Sequence, residues 1–145
     1  GAGRNARWLA QRGLQVWAVD RDISQLELGQ DLQPCECDLE AGAPLAAILP
    51  GGNPFHCIVV CNYLHRPLLA ELPDLLAPGG VLVYETFAVG NEQFGRPRNP
   101  DFLLRPNELL HAFADRLVVL AYEHGEVRGA TGSSVRQRIV ARNER

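Results

Sequence analysis

The chain of 145 residues contains no methionine and no lysine. All fourteen of its basic residues are arginine, a bias that reads as the codon usage of a GC-rich genome rather than as a function. An excess of positive charge is also absent. The net charge of -3 argues against a general nucleic-acid binder. No apolar run approaches the ~20 residues that span a bilayer, and no secretory leader pattern is visible, so a cytoplasmic location is expected. Repeats, charge blocks and low-complexity tracts are missing. Cysteine is scarce, four in all, in the runs "CEC" (Cys35, Cys37) and "CIVVC" (Cys57, Cys61). Zinc ligands favour turns with two to four intervening residues. The four therefore read as buried, reduced thiols, and no metal site is expected. What remains is ordinary: 46% hydrophobic and 21% charged residues suit one globular domain over residues 1–145.

Strand-like and helix-like segments alternate, the mark of an α/β layered sheet. Asn5 to Gln11 reads as a helix stopped by Gly13, and "LQVWAVD" as a buried strand ending on Asp20. "ISQLELGQDL" suggests a weak short helix. "QPCECDLE" reads as a second strand ending on Asp38, and "PLAAILPGG" as a brief helix closed by Gly51 and Gly52. "FHCIVVCNYLH" is the most apolar strand, expected to be buried on both faces. In the helix "RPLLAELPDLLAPGG" that follows, Pro67 suits the first turn and Pro73 should divide it. "VLVYETFAV" is another buried strand. The Gly-, Pro- and Arg-rich stretch 90–107 is too long for a simple connector and reads as a lid over a small substrate. Asn107 is a plausible cap for the helix "PNELLHAFA". The last two strands, around "RGATGS", form an antiparallel hairpin.

The chemistry concentrates at one sheet edge. "GAGRNA" offers backbone N–H groups at a helix start to a polar or anionic ligand. It also satisfies G-x-G-x-x-G/A, so a nicotinamide dinucleotide domain competes. Asp20 ends the next strand, where an acid can accept ribose hydroxyls, and ligands of open α/β sheets bind beyond the carboxyl ends of strands. Asp38 and "CNYLH" end the following strands at that same edge.

"LLAPGGVLVYE", the final hairpin and "GAGRNARWLAQRG" leading to "VWAVD" resemble the class I S-adenosylmethionine (SAM)-dependent methyltransferases. The opening is most similar to their TehB-like (tellurite-resistance-type) branch. The resemblance implies a doubly wound Rossmann-like sheet of order 3-2-1-4-5-7-6, with the first strand and its acid expected upstream of Gly1. The chain would then be N-terminally incomplete. It also implies that Gly1, Gly3 and Asn5 border the methionine part of SAM. Asp20 would hold the ribose, Asp38 the adenine amino group with Leu39 beside the ring, and Cys61, Asn62 and Tyr63 would line the methyl-presenting pocket. Candidate bases for a protonated acceptor are His65, Tyr63 and Glu85, with His65 first because its ordinary pKa suits neutral pH. Arg96, Arg98 and Arg105 could clamp an anionic small-molecule acceptor bidentately. Two readings compete with methyl transfer: a nicotinamide-dependent oxidoreductase domain, and a SAM-binding module without catalysis.

Overall fold

In the computed structural model of the chain, residues 2–27, 29–49 and 55–145 are described. The chain divides into two compact units, Gly1–Gly52 and Asn53–Arg145. In the first, helix α1 (Arg4–Ala10) leads through a turn into strand β1 (Val16–Asp20), followed by β2 (Leu32–Glu36) and the short helix α2 (Leu45–Ile48). Gly13 makes the turn with φ 80°, its N–H donating to the Ala10 carbonyl at 2.9 Å. β1 and β2 run parallel, from Val16 opposite Leu32 to Asp20 opposite Glu36. The expected helix in "ISQLELGQDL" is not formed; the described residues there make a turn and an isolated bridge, Gly29 to Leu32. Local side-chain bonding competes with the helix: Asp22 Oδ1 accepts the Ser24 N–H at 2.9 Å. Leu26, just beyond, is buried in this unit. The expected closure of α2 by Gly51 and Gly52 lies outside the described residues.

The second unit holds β3 (Phe55–Cys61), α3 (Arg66–Glu71), β4 (Leu76–Phe87), α4 (Glu108–Phe113), β5 (Val118–Gly129) and β6 (Gly132–Arg142). Their sheet has the order β3-β4-β6-β5. β3 and β4 are parallel, whereas β6 lies between β4 and β5 and is antiparallel to both. The expected C-terminal hairpin is therefore present. Pro67 sits in the first turn of α3, and the helix gives way at Leu72–Leu75 to a 3-10 turn containing Pro73, as a proline lacking its N–H requires.

One face of this sheet carries the core. Leu82, Tyr84, Thr86, Ala88, Gln137, Ile139 and Ala141 are almost wholly inaccessible, joined by Leu109 and Phe113 of α4. The alternate residues point the other way, and of these Val81, Val83, Glu85, Phe87, Arg138 and Val140 are only half-buried. On β3, Cys57, Val59 and Cys61 are exposed. That corrects the expectation of a strand buried on both faces and of buried thiols at these positions. Their side chains share the face of Val81, Val83 and Glu85, their register partners on β4. Cys35 and Cys37 are half-buried, and no disulfide joins the described cysteines.

The Pro-Gly-Gly turn is explained by close backbone approach. Phe55 pairs with Leu76 but Cys57 with Val81, so residues 77–80 bulge from the strand. A Cβ on Gly80 would lie 2.8 Å from both the Ala77 and Phe55 carbonyl oxygens. Asn143 locks the turn, its N–H donating to the Gly80 carbonyl at 2.9 Å and its carbonyl accepting from Gly79 at 2.7 Å.

Candidate functional site

Within the first unit, the start of α1 lies against the segment that follows β1, with Gly3 beside Leu26 and Arg7 beside Glu27. Gly3 stands at the helix start with φ 75°, and a Cβ there would come within 2.1 Å of Leu26 Cδ1. Glycine is thus required both by the left-handed backbone and by the packing of Leu26. Asn5 is exposed in the first turn. Arg7 of α1 pairs with Glu27 at 2.6 Å, fastening the helix to the segment after β1.

Asp20 is the last residue of β1, and its Oδ1 accepts the Asp22 N–H at 3.0 Å. The Asp20 carbonyl accepts the Cys37 N–H at 2.9 Å, which carries the β1–β2 pairing one step past the strands. Asp38 therefore follows at the same edge, two residues beyond the end of β2 rather than on the strand. Its Oδ1 accepts the Glu40 N–H at 2.9 Å, and Leu39 beside it is half-buried. Asp20, Asp38 and Leu39 thus lie at one end of the β1–β2 pair, Gly3 and Asn5 stand at the start of α1, and Gly1 lies outside the described residues.

In the second unit the carboxyl end of β3 carries Cys61, Asn62 and Tyr63. Asn62 adopts a left-handed backbone, φ 55°, a conformation that asparagine tolerates better than most residues. Its N–H donates to the Glu85 carbonyl at 2.9 Å. The Tyr63 carbonyl accepts the buried Tyr84 hydroxyl at 2.8 Å, and burial pushes the Tyr84 pKa well above its ordinary value. His65 follows, half-buried, immediately before α3.

Glu85, opposite Cys61 on β4, is held by two arginines of β6. Arg136 Nη1 donates to Glu85 Oε1 at 2.7 Å and to Asn62 Oδ1 at 2.8 Å. Arg138 Nε stands 2.7 Å from Glu85 Oε2 as an ion pair without hydrogen-bond alignment. The Arg136 guanidinium also lies 4.1 Å from the centre of the Phe87 ring, a cation–π contact. Both arginines are far in the chain from the residues that motif and spacing single out, and sequence reasoning missed them. Their signal is present in "SVRQRIV", where strand alternation puts both guanidinium groups on one face.

The stretch 90–107 is built into the unit at several points. Asn91, almost wholly buried, donates to the Pro97 carbonyl at 3.2 Å and accepts the Val135 N–H at 3.2 Å. Leu104 bridges Ala88, with the Leu104 N–H on the Phe87 carbonyl at 2.9 Å, and Leu103 and Leu104 are buried. Arg66 clamps the far end: it makes a bidentate pair with Glu108 at 2.7 and 3.1 Å and donates to the Asp101 and Leu103 carbonyls at 2.8 and 3.0 Å. Burial opposes charge on Glu108, but hydrogen bonds from Arg66 and from the Arg105 N–H outweigh it and hold this carboxyl below its usual range. Asn107 occupies the expected cap position without making the cap bond. Buried Gln137 serves instead, accepting the Leu109 N–H at 3.1 Å and donating to the Arg105 carbonyl at 2.6 Å. Arg96, Arg98 and Arg105, with Phe94 and Phe102, remain exposed on this framework.

No family model matches the sequence, and no curated protein matches it significantly. Solved structures do match its fold. The N-methyltransferase NodS of Bradyrhizobium japonicum WM9 superposes with a TM-score of 0.71 at 15% identity, over 100% of this chain and 82% of that one. TehB of Haemophilus influenzae gives 0.73 at 18% identity. The chain has a class I methyltransferase fold. The match to TehB covers 99% of this chain and 55% of TehB, so the chain spans about half of that protein. Within the same fold, the 1,6-didemethyltoxoflavin-N1-methyltransferase of Burkholderia thailandensis, with 1,6-didemethyltoxoflavin and S-adenosylhomocysteine bound, gives 0.68 at 16% identity over 100% of this chain and 68% of that one.

Proposed function

We propose that the chain transfers a methyl group from SAM to a small-molecule acceptor. The observation that carries this reading is the position of β6 between β4 and β5, antiparallel to both, in a chain whose fold matches NodS and TehB. The all-parallel nucleotide-binding sheet of a nicotinamide-dependent enzyme has no such reversed strand, so that alternative is not favoured. The complete strand order 3-2-1-4-5-7-6 and a cytoplasmic location belong to the same proposal.

The first unit suits the adenosine portion. Two carboxylates, Asp20 and Asp38, face a ligand that presents hydroxyl and amino donors, the complementary set. Asp20 accepts the ribose hydroxyls and Asp38 the adenine amino group, with Leu39 against the ring. Gly1, Gly3 and Asn5 border the methionine portion. The resemblance to class I methyltransferases further assigns Cys61, Asn62 and Tyr63 to the reacting end.

SAM, when bound, supplies an electrophilic methyl on a sulfonium sulfur, and the bond to the acceptor forms as the sulfur–carbon bond breaks. The residues of the chain align the acceptor and exclude water. His65 takes the proton of a protonated acceptor, with Tyr63 the second choice. Glu85 is the least suited of the three, because its carboxylate is committed to Arg136 and Arg138. Exposed Arg96, Arg98 and Arg105 receive an anionic group on the acceptor.

The second reading, a SAM-binding module without catalysis, shares this cofactor site and is not favoured by a chain whose fold matches NodS and TehB. Conversion of SAM to S-adenosylhomocysteine in the presence of an acceptor separates the two, and Asp20→Ala in the intact protein tests the cofactor site that both require. Hydrogen bonds to a charged acceptor contribute ~1.5–3 kcal/mol, so SAM binding should weaken about tenfold or more. Unchanged affinity would remove Asp20 from the site.

A further inference from the structure

We propose that Arg136 is a positioning residue that fixes Asn62 at the end of β3 and, through Asn62, sets the affinity for SAM and S-adenosylhomocysteine. The second half rests on the reading of Asn62 as a cofactor contact; the first half stands on geometry alone.

A left-handed asparagine at a strand end needs an external hold, since its backbone well is shallow compared with the extended one. Asn62 has two holds. The main chain is tied to β4 by the N–H bond to Glu85, and the side chain is tied to β6 by the Arg136 bond to Oδ1. Arg136 in turn is fixed on four sides: Asn62 Oδ1, Glu85 Oε1, Ser134 Oγ at 3.0 Å from Nε, and the Phe87 ring. Its side chain is 15% exposed. A guanidinium can satisfy all four because its donors are planar and divergent; an ammonium cannot. Arg138, two residues along the same strand, supplies an internal control. It pairs with Glu85 and Glu123 and does not bond Asn62.

The test compares the intact protein with its Arg136→Ala and Arg138→Ala variants by two readouts. The first is amide hydrogen exchange at Asn62, followed by NMR without ligand. The second is S-adenosylhomocysteine affinity by calorimetry. Losing a hydrogen bond of this class is worth about a factor of ten. Arg136→Ala should therefore speed exchange at Asn62 about tenfold and weaken ligand binding five- to tenfold, while Arg138→Ala moves both by less than about twofold. In an Asn62→Gly background, Arg136→Ala should no longer alter affinity. Unchanged exchange at Asn62 in Arg136→Ala overturns the proposal whether or not a ligand binds. Faster exchange with undiminished affinity, in a protein whose wild type binds, overturns the link from Asn62 to the cofactor. A wild type that takes up no ligand overturns the cofactor reading, and the exchange result still decides the hold on Asn62. Should Arg136→Ala fail to fold, Arg136→Gln, which keeps a donor for Glu85 but cannot bridge to Asn62, replaces it with the same expectations.

Discussion

Replacing Arg66 by methionine keeps the length and apolar stem of the side chain and deletes every hydrogen bond of its head. Four bonds are lost: two to the Glu108 carboxylate and one each to the Asp101 and Leu103 carbonyls. Bonds to a charged group are worth ~1.5–3 kcal/mol and neutral ones ~0.5–1.5. The Arg66 side chain is 31% exposed and that of Glu108 16%, so water screens part of the loss. A destabilisation of about 2–3 kcal/mol follows, or roughly 10 °C in Tm for a chain of this size. Glu108→Gln should cost less, because Arg66 keeps its bonds to the Asp101 and Leu103 carbonyls, and the double variant should cost less than the sum of the two single ones, because the ion pair is shared.

The pH dependence has a definite sign. The Glu108 carboxyl is held below its usual range, so the native state binds fewer protons than the unfolded state there. Its contribution is full above the ordinary glutamate pKa and fades as pH falls through the lower native value. Urea unfolding at pH 7 and at stepwise lower pH would follow this. The gap between wild type and Glu108→Gln should close on the acid side. A gap below about 0.5 kcal/mol at pH 7, the range of ordinary surface changes, or one that widens in acid, would mean that the Arg66–Glu108 pair does not stabilise the fold.

Three further outcomes are expected. Gly80→Ala should destabilise by about 2–3 kcal/mol through collision with two backbone carbonyls, more than Gly79→Ala, whose φ of 75° costs about 1–2 kcal/mol but whose Cβ meets nothing; denaturant midpoints in the reverse order would contradict this. Maleimide should label Cys57 and Cys61 in the native protein ahead of half-buried Cys35. Although Cys57 is exposed, its sulfur is partly withdrawn from water, which raises its pKa, so its labelling should go on accelerating to higher pH than that of an ordinary thiol; protection of Cys57 until unfolding would count against the exposed face of β3. Arg96→Ala with Arg98→Ala should raise the acceptor KM and leave SAM affinity near wild type, since neither side chain anchors the loop; an equal loss of SAM binding would assign the loop to the cofactor.

Local physics made much of this fold legible. The glycine turn and strand of the first unit, the division of the helix at Pro73, the Pro-Gly-Gly turn and the final hairpin each announce themselves through backbone demands that only certain residues meet. The failures share a cause: they depend on residues far apart in sequence. "ISQLELGQDL" has helical spacing, yet Leu26 packs against Gly3, far earlier in the chain. The anchors of the 90–107 stretch, at Asn91, Leu104 and Arg66, are bonds to β6, β4 and α3 that composition does not announce. The cap of α4 comes from Gln137, 28 positions from Leu109. At the candidate site, Asp20 is legible as a strand-end residue, and Asp38 and Asn62 as residues that closely follow a strand. Arg136 and Arg138 were not, because only the β4–β6 pairing sets them across from Phe87 and Glu85.

Calorimetric titration of the intact protein with SAM, and separately with NAD, bears most directly on the central claim. A saturable SAM isotherm is expected, weakened about tenfold by Asp20→Ala, with no uptake of NAD. Saturable binding of NAD with none of SAM would contradict that claim.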